Sequence, residues 1–159
     1  PMDPATETML EALLARPVAA LGTLHEGAPF VSMVPLVPAP DGSGFLIHVS
    51  GLASHTRDLR ADGRMSLMVM APLDGDQDPL ALPRLTLLGT AEAIEADTRG
   101  HEAAAEAYLA RFPQAELTLG LGDFFFFRLR PTSGRLVLGF GRALSLDGAQ
   151  IRAGLAPKP

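Results

Sequence analysis

Ser50, Ser54, His55, Thr56 and Arg57 bring three hydroxyls, an imidazole and a guanidinium into eight consecutive residues. Between them lies Gly51-Leu52-Ala53, which reads as a turn leading from a strand into a short helix over 54–61. Groups of these kinds at a helix start suit an anion, phosphate above all. The first-turn N–H groups have no acceptor within the helix, the dipole is positive there, and a guanidinium adds a charge-assisted bond. An ordinary helix explains the same residues: Ser54 would be the cap, and Arg57, Arg60 and Arg64 a solvated stripe at i, i+3 and i+7. Local physics leaves both readings open.

Other reactive side chains lead to weaker chemistry. His101-Glu102 begins like a zinc-protease helix, but the second ligand position holds Ala105, and no metal site is expected. His25 follows a strand and belongs at a hairpin, and His48 alternates into a strand face. Ser54-His55 places a hydroxyl beside an imidazole, yet adjacent residues rarely meet as a triad and no G-x-S-x-G elbow exists. Arg84 opens a strand after Pro83, where it would either pair with an acid of the 74–78 loop or reach a ligand phosphate.

These groups sit in a chain of 159 residues with net charge −5, no cysteine, sixteen glycines and fourteen prolines. The absence of cysteine excludes disulfides and thiol nucleophiles, and the acidic balance argues against nucleic acid, which needs a basic face. No apolar run approaches the ~18 residues of a membrane span, and the first residues lack a secretion-signal layout. The expected location is cytoplasmic, with no membrane partner. Residues 1–159 are read as one domain.

Turn residues and apolar periodicity divide the chain further. A helix lies within 1–17, capped by Asp3 and carrying Met9, Leu10, Leu13 and Leu14 at helical spacing. Strands are expected over 18–25 and 28–37, joined by a Glu26-Gly27 turn, then over 45–50, 65–71, 84–96, 123–130, 135–140 and 143–146. An acidic loop, 72–83, precedes the long strand, and Thr98 caps a second main helix ending near Pro113. Residues 115–121 are expected to add one short helical turn, and 149–159 is expected as a loosely ordered tail. Four consecutive phenylalanines, Phe124 to Phe127, mark a strand buried on both faces. The sum is a mainly β (α+β) fold: a six- to seven-stranded antiparallel barrel with two main flanking helices.

In this order the pieces resemble the flavin-binding split-barrel proteins related to pyridoxamine 5′-phosphate oxidase, and most nearly the branch with bacterial haem-utilisation proteins. The matching residues are Leu21-Gly22-Thr23-Leu24, Pro29-Phe30-Val31-Ser32-Met33-Val34-Pro35, the Ser50 to Leu59 stretch, Asp78-Pro79-Leu80 with Pro83-Arg84-Leu85, Gly122-Asp123-Phe124 and Gly139-Phe140-Gly141-Arg142-Ala143. The resemblance implies a homodimer with FMN at the subunit interface. It implies that Ser50, Ser54, His55, Thr56 and Arg57 hold the FMN phosphate, that Ser32, Met33, Val34 and Pro35 lie along the flavin ring, and that Arg84 contributes. The function it implies is a flavin-dependent oxidoreductase acting on an unidentified small molecule. The alternative is a non-catalytic haem- or flavin-binding protein in haem utilisation; a structural homodimer is a third possibility, and a deazaflavin could replace FMN.

Overall fold

The computed structural model describes residues 2–159. Its eight strands are β1 (Val18–His25), β2 (Ala28–Pro35), β3 (Val37–Pro38), β4 (Phe45–Ser50), β5 (Arg64–Met70), β6 (Arg84–Ile94), β7 (Phe124–Gly139) and β8 (Arg142–Asp147). Its helices are α1 (Pro4–Leu14), α2 (Ser54–Ala61), α3 (Arg99–Arg111), α4 (Glu116–Leu119) and α5 (Gly148–Leu155). The strands form one antiparallel sheet in the order β2-β1-β5-β6-β7-β4-β3, with β8 added to β7. This is the mixed α+β, antiparallel architecture expected of a split barrel.

The β1–β2 hairpin turns on Glu26 and Gly27, with φ of 50° and 81°. Two positive φ values match the right-handed twist of the paired strands, and glycine takes the second without strain. On one face of the hairpin Leu21 and Val34 enter the main core. The opposite face carries Ala20, Gly22, Val31 and Met33. α1 is capped by Asp3, whose carboxylate accepts from the Thr6 N–H at 3.0 Å, and drives Leu10, Leu13 and Leu14 into the same core.

β7 differs from expectation. Two strands were expected, over 123–130 and 135–140, but the chain runs as a single strand of 16 residues. Proline should interrupt a ladder, because it has no N–H. Pro131 escapes that penalty by its position. On one edge β4 stops pairing at Leu129 and β8 starts at Ser133; on the other, the β6 register shifts at Leu88/Gly89, opposite Pro131. The phenylalanine run is covered on both faces as expected. Phe127 lies in the main core, whereas Phe126 packs in a second cluster with Ala104 and Tyr108 of α3.

The expected loose tail, 149–159, is also corrected. Asp147 and Gln150 form a capping box, their reciprocal bonds being 2.8 and 2.9 Å, and start α5. Ile151 and Leu155 are buried in the main core. Gly154 lies so close to α1 that an added Cβ would fall 2.7 Å from Leu14 Cδ1.

His48 sits in the second cluster, with ring centroids 4.7 Å from Phe126, 5.1 Å from Phe124 and 5.5 Å from Tyr108. Burial, aided by the nearby His101, pushes its pKa from 6.5 down to about 4.

Two outcomes follow from this packing. Ile151→Ala should cost about 2–5 kcal/mol in denaturant unfolding, because α5 closes the core instead of fraying from it. The unfolded chain takes up a proton at His48 before the folded chain does, so this group's contribution to stability is present above about pH 6.5 and is lost as pH falls toward about 4. Thermal unfolding of His48→Gln across that interval should show a shallower acid slope than the parent chain.

Candidate functional site

The turn before α2 is stapled from within. Ser50 Oγ donates to Asp123 Oδ2 at 3.1 Å and accepts from the Leu52 N–H at 3.1 Å, and the Gly51 N–H donates to the Asp123 carbonyl at 2.5 Å. Thr56, fully buried, donates its hydroxyl to the Ser50 carbonyl at 2.6 Å. The hydroxyls of Ser50 and Thr56 therefore shape the turn, and what Thr56 offers outward is backbone only.

Ser54, expected as the cap, is instead the first helical residue. Ala53 occupies the cap position and makes no side-chain bond to the helix. The first bond of the helical ladder runs from the Arg57 N–H to the Ala53 carbonyl at 3.3 Å. The N–H groups of Ser54, His55 and Thr56 thus lie before the ladder and have no side-chain cap, an arrangement that favours an anion.

The arginine stripe separates into three fates. Arg60 lies over the Phe125 ring at 4.4 Å, and Arg64 pairs with Asp62 at 2.6 Å. Arg57 is exposed and has no hydrogen-bond or ion-pair partner among the described residues. It lines a cavity of about 500 Å³ with Leu24, His25, Glu26, Asp58 and Ala61.

His55 reaches across to β2, its Nδ1 being 3.2 Å from Ser32 Oγ. Burial lowers its pKa, opposed by the charge of Asp58, so the ring offers hydrogen bonding in its neutral form more readily than a charge. β2 ends the strand order. Half of its backbone N–H and C=O groups therefore point away from β1, with no strand beside them in the sheet. Of the residues expected along a ring, Ser32 faces α2, Val34 is in the core, and Pro35 closes the strand.

Met33 projects from the outer face, 66% exposed. There it borders a groove of about 410 Å³ with Arg16, Val18, Ala20, Val31, Met68 and Met70.

Arg84 donates to the carbonyls of Leu80 and Leu82 at 3.3 and 3.0 Å. It pins the end of the acidic loop and pairs with none of that loop's acids. His48, which alternates into a strand face as expected, is half-buried under α3 against Tyr108 and Phe126. Among the described residues no group of three His, Asp or Glu is placed to hold a metal ion.

Sequence reasoning missed the groups that hold α2 against β1. Asp58, 5% exposed, accepts from Thr23 Oγ1 at 3.0 Å and meets His25 Nδ1 at 2.7 Å. No motif joins residues 33 positions apart; the only signal was an acid at the centre of a short helix facing a strand.

The family model of pyridoxamine 5′-phosphate oxidase matches residues 5–138. The chain is 34% identical over 141 residues to the non-canonical heme oxygenase HOZ, chloroplastic, of Arabidopsis thaliana, a match spanning 89% of this chain and 41% of that relative. It is 31% identical over 129 residues to heme oxygenase HutZ of Vibrio cholerae, covering 79% and 71%. The structure of a heme binding protein from Mycobacterium smegmatis superposes with a TM-score of 0.82 at 33% identity, over 96% of this chain and 62% of that one. The chain thus spans about two fifths of the plant relative's length. With this sheet order and these matches, the chain belongs to the pyridoxamine 5′-phosphate oxidase family of split-barrel proteins, in its haem-utilisation branch.

Proposed function

We propose that this protein binds haem as part of haem utilisation, as a homodimer whose ligand lies along the free edge of β2. One observation carries the reading: an uncapped helix that bears an arginine unpaired among the described residues meets, through His55 and Ser32, a strand that ends the sheet order. A large flat molecule with an anionic arm suits that combination. Its body would lie against β2 and its carboxylate would meet Arg57 and the α2 N–H groups. The names of the relatives from Vibrio cholerae and Arabidopsis thaliana, both heme oxygenases, and of the mycobacterial heme binding protein support the choice of ligand.

The residues present fit haem. His55, with one ring nitrogen engaged by Ser32, would hold iron through the other, and a hydrogen bond at the far nitrogen is the usual way to orient such a ligand. Bound iron would supply oxygen chemistry; the chain's own part is to orient the macrocycle, anchor its charge and exclude water.

A second reading, FMN bound by a flavin-dependent oxidoreductase, is favoured by the three uncapped N–H groups and the Ser54 hydroxyl, which suit the several oxygens of a phosphate. The same anchor serves both ligands.

The second subunit is inferred from the outer face of β2, β1, β5 and β6. Val31 and Met33 are 67% and 66% exposed there, with Met70 and Leu88 beside them. An apolar patch on a sheet face of this kind marks an interaction surface, and self-association of a second copy covers it at no cost in specificity devices.

Titration with haemin should give a saturable Soret change, and Arg57→Ala should weaken binding at least tenfold, matching a charge-assisted contact of about 1.5–3 kcal/mol. Saturable binding of FMN without haemin would favour the second reading, and binding of neither would leave a structural scaffold. By light scattering the parent chain should have twice its monomer mass, and Met33→Glu should shift it toward monomer; a parent chain that is monomeric at high concentration would refute the interface.

A further inference from the structure

We propose that His25 is a second anchor for the ligand's oxyanion, acting with Arg57 across the cavity between α2 and the β1–β2 hairpin, and that buried Asp58 is the residue that positions it. The inference rests on the reading that an anionic ligand docks beside α2, and it adds a residue that neither the motif nor the turn geometry assigns.

The geometry is that of an oriented imidazole. Nδ1 of His25 lies 2.7 Å from Asp58 Oδ1, and the other carboxylate oxygen is held by Thr23 at 3.0 Å. A carboxylate accepts and does not donate, so Nδ1 carries the hydrogen; Nε2, on the opposite edge of the ring, donates to an anion when the ring takes a second proton and becomes the imidazolium partner of Asp58. That edge is the accessible one: the His25 side chain is 44% exposed while Asp58 is 5% exposed. Phe30, with its ring centroid 5.7 Å away, backs the imidazole from β2.

His25 and Arg57 line the same cavity of about 500 Å³. The charged and titratable groups around His25 are Asp58 and Arg57 from α2 and Glu26 from its own turn, with His55 one helical turn before Asp58. Asp58 is already fully engaged. Glu26 is exposed at the hairpin tip, where solvent screens its charge. A cation site is a poor use of these groups, since no three of them converge as metal ligands. A phosphate or carboxylate held between the Arg57 guanidinium and the Nε2–H of a His25 imidazolium meets a charged donor on both sides.

A purely structural Asp–His clamp would use only Nδ1. Two variants separate the roles. His25→Asn keeps an amide donor near the Nδ1 position and removes Nε2; His25→Gln places an amide near the Nε2 position and loses the bond to Asp58. The readout compares ligands with and without the oxyanion: FMN against riboflavin, and haemin against its dimethyl ester. These arms also distinguish a phosphate from a propionate as the source. His25→Asn should fold with parental stability and lose at least fivefold in the affinity ratio of the anionic to the neutral ligand, whereas His25→Gln should retain more of that ratio.

An unchanged ratio in folded His25→Asn would overturn the proposal. Inorganic phosphate provides an arm free of the ligand assignment: its addition should shift the His25 Nε2 resonance in nitrogen NMR of the parent chain, and no shift would refute the anchor. Phosphate-induced shifts without binding of haemin or FMN would defeat the ligand reading of the preceding subsection and leave the anchor standing.

Discussion

The pairing of β7 along both edges is the constraint on which the molecule depends. Its first half carries β4, its second half carries β8, and β6 follows nearly its whole length. β4 delivers the chain to the turn before α2, and Asp123, just ahead of β7, grips that turn through both its carboxylate and its carbonyl. The uncapped N-terminus of α2 is therefore placed by a strand pairing, with α2 and its basic residues oriented afterwards.

The second hold on α2 is a carboxylate taken out of water. Burying Asp58 is costly unless its oxygens find donors, and Thr23 and His25 supply them from the end of β1. Together with Arg60 on Phe125, this clamps the short helix between the hairpin and β7. A helix of eight residues has little stability of its own, and these side-chain ties are what fix where its first N–H groups point.

Much of this was legible in the residues. Apolar spacing and turn chemistry gave the strands, α1 and α3, and Ser50 to Arg57 announced the turn and helix at the site. Other features depend on partners distant in the chain. Pro131 reads as a strand break until both its neighbours are known to have stopped at that point, and Asp147-x-x-Gln150 was a capping box overlooked within a Gly- and Pro-containing tail. The three arginines look alike in sequence; only tertiary placement sends one to an aromatic ring, one to an aspartate and leaves Arg57 free. His25 and Asp58 could not be joined by any spacing rule.

Ser32 and Met33 point to opposite sides of β2, the first toward α2 and the second toward the outer groove. The strand is only one chain thick, so its open margin works as a ridge. Substitutions at these two neighbouring positions therefore act on different faces of the molecule, 32 on the contact with α2 and 33 on the outer groove.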